Sequence, residues 1–310
     1  MGPTTVASMR TSAKIGTYVG LAVLGALAYL FLYEPQYLGL ISQQDRTLVF
    51  AHRGFGNHAP DNSLAGARIA LREGMDGVDV DGQFSSDAEI VIFHDVSLER
   101  FTSGTGRVDA KTIEELRTYD LAGKFGRGFA NVPIASFEDF VSDVTPTAIL
   151  MVELKVAGFQ DTGIERRAIE IIENHDAFDR VYLSSFNPIV LWRLKHLDQR
   201  VRTVFIFMDT GWDPKRVAET RIENRVTLPW YLRNDITRKA IRKLVKPDAL
   251  SINQGVDEAT IDALLEKGFP IFLWPVNEEE KITWALAKHP YGIVSDEPVT
   301  ARTLRDQSED

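Results

Sequence analysis

Short apolar runs recur along this chain, each stopping at a polar residue, and most are followed by a stretch of helical spacing. Strand-like runs begin near residues 47, 77, 148, 181, 203, 249, 270 and 292. Apolar positions three and four apart predict helices over 63–73, 162–174, 188–197, 235–245, 258–267 and 278–289. Ser63 is placed to cap the first, and Gly74 to end it. The stretch 216–231 fits neither period. Near-continuous apolar strands alternating with helices imply a parallel sheet covered on both faces. Eight such strands predict a TIM-type (β/α)8 barrel. A further run, Ile90 to Phe93, follows the polar turn Ser85-Ser86-Asp87 too closely for a crossover and reads as a side hairpin. From 96 to 145 the pattern loosens, with a turn at Ser103-Gly104-Thr105-Gly106, a short helix at 112–119 and an irregular Gly-rich piece at 123–133. A small, loop-rich insertion after the second strand is expected there, shaping access to a site.

The amino terminus follows another rule. Residues 15–33 carry no charge, nearly the 20 or so apolar residues that cross a bilayer as a helix. Arg10 and Lys14 precede the run and Glu34 follows it. The positive-inside bias therefore puts 1–14 in the cytoplasm and the chain beyond about residue 40 on the periplasmic or lumenal side. Tyr29, Tyr33 and Tyr37 gather at the far end, as interfacial aromatics do. A cleaved signal peptide is the rival, with Ala26-Leu27-Ala28 as a small-x-small site, although the apolar run continues past it. The expected organisation is a single-pass membrane helix at 15–33, a connection at 34–46, a barrel over 47–300 and a polar tail at 301–310.

Composition removes several function classes. Of 310 residues, 44% are hydrophobic and 25% charged, as in ordinary globular domains. A net charge of −9 argues against nucleic acid as a partner. The absence of cysteine excludes disulfides, thiolate metal sites and cysteine nucleophiles.

The candidate chemistry is concentrated at strand ends. His52 and Arg53 follow the first run, and His94 follows Ile90 to Phe93. Asp79 and Asp81, two apart on one strand, share a face. Glu153 ends a strongly apolar strand and needs a cation; Lys155, on the same face, is one partner for it. Asn187, Asn253, Trp274 and Asp296 fall at other strand ends, and Trp274 reads as core packing or as a pocket wall. His58 is undecided, whereas His175, His196 and His289 lie near helix C-termini and read as structural. Three carboxylates without thiols suit a hard divalent ion, Mg²⁺ or Ca²⁺. Such an ion with two histidines and an arginine fits in-line displacement at a phosphodiester, one histidine as base and the other as acid.

In order, His52-Arg53-Gly54, Pro60-Asp61-Asn62-Ser63, Asp79-Val80-Asp81, His94-Asp95 and Glu153-Leu154-Lys155 make a pattern. It resembles that of the glycerophosphodiester phosphodiesterase family, over roughly residues 48–300, here in a membrane-anchored, bacterial-like form. The resemblance implies a TIM barrel with an early insertion. It implies His52 and His94 as the acid–base pair, Asp79, Asp81 and Glu153 as metal ligands, and Arg53 and Lys155 on phosphate. Asp61, Asn62 and Trp274 are candidate pocket residues. The chain departs from the family pattern at Asp61 and Asp79, where the pattern has glutamate. The expected reaction hydrolyses glycerophosphodiesters to glycerol 3-phosphate and an alcohol. Lysophospholipase D-type cleavage of lysophospholipids is the alternative, and a non-catalytic barrel binding phosphodiesters or proteins is a third reading.

Overall fold

The computed structural model describes residues 3–33, 36–37, 39–126, 128–208 and 234–309. The stretch 216–231 lies outside the described residues. The chain begins with helix α1 (Pro3–Leu32), and its segment Lys14–Leu32 is long and apolar enough to cross a bilayer. Strand β1 (Leu48–His52) leads through a 3-10 turn to α2 (Leu64–Arg72), where the Ser63 hydroxyl accepts from Gly66 N as expected. Strands β2 (Gly77–Phe84) and β3 (Ile90–Ile92) follow, then the short helices α3 (Ile113–Leu116) and α4 (Ala122–Phe125), and α5 (Phe137–Val144). Next come β4 (Ile149–Leu154), α6 (Ile164–Asn174), β5 (Val181–Ser185), α7 (Pro188–Leu197) and β6 (Arg202–Phe207). The chain closes with α8 (Asp235–Val245), β7 (Ala249–Asn253), α9 (Glu258–Glu266), β8 (Ile271–Trp274), α10 (Glu279–Leu286), β9 (Gly292–Ser295) and α11 (Pro298–Glu309).

The eight expected barrel strands are all parallel, and β1 pairs with both β9 and β2, so the sheet closes. The extra strand β3 runs antiparallel beside β2, as the hairpin reading required. One apolar layer lies between strands and helices. A second plugs the barrel interior with Phe50, Met151, Tyr182, Phe272 and Tyr291. Phe50 sets a local demand: a Cβ on Gly77 would stand 2.2 Å from its ring. Only glycine lets the first two strands meet there.

Three local readings change. The irregular stretch ends before Ser136, because α5 is an amphipathic helix packed on α2, β3 and β4. Its start is a capping box, in which Ser136 and Asp139 exchange side-chain and backbone hydrogen bonds. The 123–133 piece begins inside helix α4. Residues 301–310, expected as a polar tail, mostly belong to α11, which lies on β1 and β9. Its Arg305 is buried, and Nη1 reaches Asp76 Oδ2 at 2.5 Å. Asp76 also accepts from Val49 N, so the pair ties the last helix to the first strand. Arg305→Ala is expected to destabilise the fold by about 3 kcal/mol, since it removes the buried cation from a largely buried carboxylate and leaves it only the half-exposed Arg46. Urea unfolding checks this; an unchanged midpoint contradicts it.

Candidate active site

The carboxyl ends of the strands carry almost every candidate residue. His52 ends β1 and is paired in register with Asp79 on β2. Two residues on, Asp81 pairs with Glu153 on β4. The two carboxylates thus lie side by side, and Lys155 joins them, with Nζ 3.0 Å from Asp81 and 3.2 Å from Glu153. The lysine is a partner for both at once.

Arg53 and Asn62 are held in left-handed backbone, at φ 51° and 57°. Such residues cost about 1–3 kcal/mol and persist where the surroundings fix them. Here the fixing is mutual: Asn62 N donates to the Arg53 carbonyl at 2.6 Å. The Asn62 amide then holds Asp81 from two directions, donating to Oδ2 and accepting from the Asp81 backbone N–H, both at 2.9 Å. Asn62 is buried; its work is to orient Asp81. Arg53 Nη1 donates to Asp61 at 3.1 Å, while its buried Nε has no hydrogen-bond partner among the described residues. Asp61 lines a cleft of about 200 Å³ with Pro60, Arg100, Phe101, Leu121 and Phe125, the last four from the insertion. Trp274 stands half-buried at the end of β8, edge-on to Phe186 at 5.9 Å. Its indole N–H meets no acceptor among the described residues.

Each histidine has its own carboxylate. His52 Nδ1 lies 2.6 Å from Asp296 Oδ1, and Asp296 is fixed in turn by both ends of the Asn277 amide. The turn at Gly56 (φ 52°) presses on Asp296 so closely that a Cβ would stand 2.3 Å from its carbonyl oxygen. His94 Nδ1 lies 2.5 Å from Asp95 Oδ1. In both cases Nε2 is left as the nitrogen for proton transfer.

The electrostatics separate the pair. Burial disfavours charge on His52, but the Asp296 carboxylate outweighs it and the net shift is upward. Burial, aided by the positive charges of Lys155 and Arg53, pushes His94 down to about 4, with Asp81 only partly opposing. Burial also pushes Asp79 up to about 7, aided by Asp81 and Glu153. It raises Glu153 too, against the pull of Lys155. Burial acts the same way on Asp81, yet Lys155, Arg53 and the Asn62 amide win and hold it well below the usual range.

The donor set fits a hard divalent cation chemically. Asp79, Asp81 and Glu153 offer oxygen donors, and at Asp79 and Glu153 burial penalises the charge beyond what the neighbouring cations offset. Their arrangement is not that of a closed grip: among the described residues no three acidic or histidine side chains converge as a ready ligand cluster.

Asp296, Asn277 and Asp95 were not singled out from the sequence as orienting groups. Asp95 follows His94 directly, and Asp296 sits one residue past the last strand, so position alone pointed at both. Three of the four remaining histidines are tied elsewhere: His58 to Glu297, His175 to Glu138, and His196 to the Trp192 carbonyl.

Residues 52–300 match the family model described as the glycerophosphoryl diester phosphodiesterase family. The chain belongs to that family. It is 27% identical over 260 residues to the glycerophosphodiester phosphodiesterase of Caldanaerobacter subterraneus subsp. tengcongensis, covering 84% of this chain and 98% of that one. A Bacillus altitudinis protein of the same name is 29% identical, over 84% of this chain and 99% of its own. Among solved structures, an Oleispira antarctica phosphodiesterase in complex with the product sn-glycerol 3-phosphate aligns with a TM-score of 0.68. It is 22% identical and covers 84% of this chain and 97% of that one, which shows the fold. As a member of the family the chain is a phosphoric diester hydrolase, a glycerophosphodiester phosphodiesterase.

Proposed function

We propose that the mouth of this barrel hydrolyses glycerophosphodiesters to glycerol 3-phosphate and an alcohol, by transfer of protons through His94 and His52. The carrying observation is the pair of histidines, each with Nδ1 held by its own carboxylate beside the Arg53–Asp81–Lys155 group. The sn-glycerol 3-phosphate bound as product by the Oleispira antarctica phosphodiesterase supports glycerol 3-phosphate as the phosphate-bearing product here.

The phosphate meets Arg53, whose buried Nε has no hydrogen-bond partner among the described residues, and Lys155, which exchanges a carboxylate for a phosphate oxygen. His94, neutral at physiological pH, takes a proton from the attacking water as its oxygen bonds to phosphorus. His52, whose pKa is raised, gives a proton to the leaving alkoxide as the phosphorus–oxygen bond breaks. One water is consumed and two hydroxyl-bearing products leave. Pairs of titratable groups pushed apart in pKa are how a site assigns its acid and its base. Asp79, Asp81 and Glu153 would hold a divalent ion, Mg²⁺ or Ca²⁺, which supplies positive charge against the phosphate oxygens when bound. The Trp274 N–H, without an acceptor among the described residues, would donate to a hydroxyl of the glycerol part or to a phosphate oxygen.

Metal binding to this set has a readout apart from turnover. A divalent ion at about a hundred times its Kd adds roughly 2.7 kcal/mol to stability, so thermal unfolding shifts upward. Asp79→Asn is expected to abolish that shift while folding normally, because it neutralises a carboxylate that burial already disfavours. An equal shift in the variant would remove Asp79 from the ligand set.

We further propose that α1 is an uncleaved anchor, with the barrel on the non-cytoplasmic side. Its exposed apolar length and the Arg10 and Lys14 bias support this. The mass of the purified chain from membranes tests it; loss of the first 28 residues would show a signal peptide.

A further inference from the structure

The two ends of the barrel are used differently. The reactive side chains lie at the carboxyl ends of the strands, while the connection from α1 is bound at the opposite end. Tyr37 N donates to the Lys267 carbonyl at 3.0 Å, and its hydroxyl donates to the Asp248 carbonyl at 2.5 Å. Leu40 N donates to Asp248 Oδ1 at 2.9 Å, and Gln43 Nε2 to the His289 carbonyl at 3.2 Å. Lys267, Asp248 and His289 each come just before a strand, β8, β7 and β9 respectively. Ile41 is buried against the plug of Phe50, Tyr182 and Phe272. Asp248 is itself buried and fixed by Thr203 and by Lys195 at 2.6 Å. The strap therefore grips the floor of the barrel with backbone and buried side-chain bonds.

Helix α1 adds a second hold at the same end. It touches α8 in its last turns, where Lys243 donates to the Tyr29 and Leu30 carbonyls and lies over the Tyr29 and Tyr33 rings. Lys243 is in the last turn of α8, five residues before Asp248 closes the connection to β7. In a (β/α) barrel the helix C-termini mark the floor. Residues 14–29 of α1 are exposed throughout, so the helix leaves the barrel there. Tyr29, Tyr33 and Lys243 make an interfacial set, which places the headgroup level at the floor.

We infer that the anchor holds the catalytic mouth facing away from its own bilayer, so that the substrate is a water-soluble glycerophosphodiester and not a lysophospholipid of that membrane. This rests on the phosphodiesterase reading and on insertion of α1. A tilted five-residue strand places the mouth roughly 15 Å beyond the floor. Tyr37 follows Tyr33 by only four positions, a reach of about 14 Å fully extended. Turning the mouth to the lipid would mean stripping the strap from the floor and exposing Ile41.

The chain has no cysteine, so one introduced thiol gives one label. Phe159→Cys marks the mouth, in the exposed loop after β4, and Glu266→Cys marks the floor beside the strap. The full chain is reconstituted in phosphatidylcholine vesicles carrying a spin-labelled headgroup quencher. The Glu266→Cys label is expected to be quenched several-fold more than the Phe159→Cys label. The same vesicles are expected to hydrolyse added glycerophosphocholine at the rate seen in detergent, and lysophosphatidylcholine in their own bilayer many-fold more slowly. Stronger quenching at the mouth, or equal turnover of the resident lysolipid, overturns the inference. No turnover of glycerophosphocholine in detergent or vesicles would instead overturn the phosphodiesterase reading, and the quenching ratio would still decide the orientation.

Discussion

His52→Ala is expected to lower turnover of glycerophosphocholine by about a thousandfold while costing far less on an aryl ester of glycerol 3-phosphate. The difference follows from the assigned role. A choline alkoxide is a strong base and leaves only when protonated, whereas a nitrophenolate leaves without help. A base removed from the other side of the reaction shows no such rescue. His94→Ala is therefore expected to lose about the same factor on both esters. The pair of ratios separates acid from base without recourse to pH. Equal losses for His52→Ala on both substrates would contradict its assignment as the acid.

Asp296→Asn is expected to reduce kcat for glycerophosphocholine by about a hundredfold or more with KM little changed. The carboxylate fixes Nδ1 of His52 as a donor and stabilises the protonated ring. An amide keeps the shape but loses the charge. The sign for pH follows directly. Asp296 raises the pKa of His52, so the acid form in the native enzyme persists above the usual histidine range. Without that charge the pKa falls, and the alkaline limb of the activity profile moves to lower pH. The acid limb belongs to His94, pushed down to about 4, and stays in place. An unmoved alkaline limb would show that Asp296 only packs against the ring.

These two cases also show what was legible in the chain. The barrel strands were readable because buried parallel strands are almost uniformly apolar and stop at polar residues. His52, Asp79, Asp81, Glu153 and Lys155 could be placed at one mouth for the same reason. The partner of His94 is its neighbour, but that of His52 lies 244 positions away. Only closure of the barrel, with Ala51 beside Ser295, brings Asp296 to the ring. Helix α5 escaped because eight residues give barely two turns of periodicity amid a polar region. Its Ser136–Asp139 capping box was the one local sign. The last helix escaped because Arg305 looks like a surface residue until Asp76, from the other end of the chain, buries it. The described strap residues 36–37 and 39–46 show no periodicity; Tyr37, Leu40 and Gln43 are held by bonds to the floor. Asp61 pairs with Arg53, and Asp79 stands beside His52 in the sheet.

The most direct test of the account is the product pair released from glycerophosphocholine by the full chain, with Mg²⁺ or Ca²⁺ and with chelator. Choline and glycerol 3-phosphate in equal amounts, lost on chelation, are the expected result. Phosphocholine with glycerol, or no release with either ion, would contradict it.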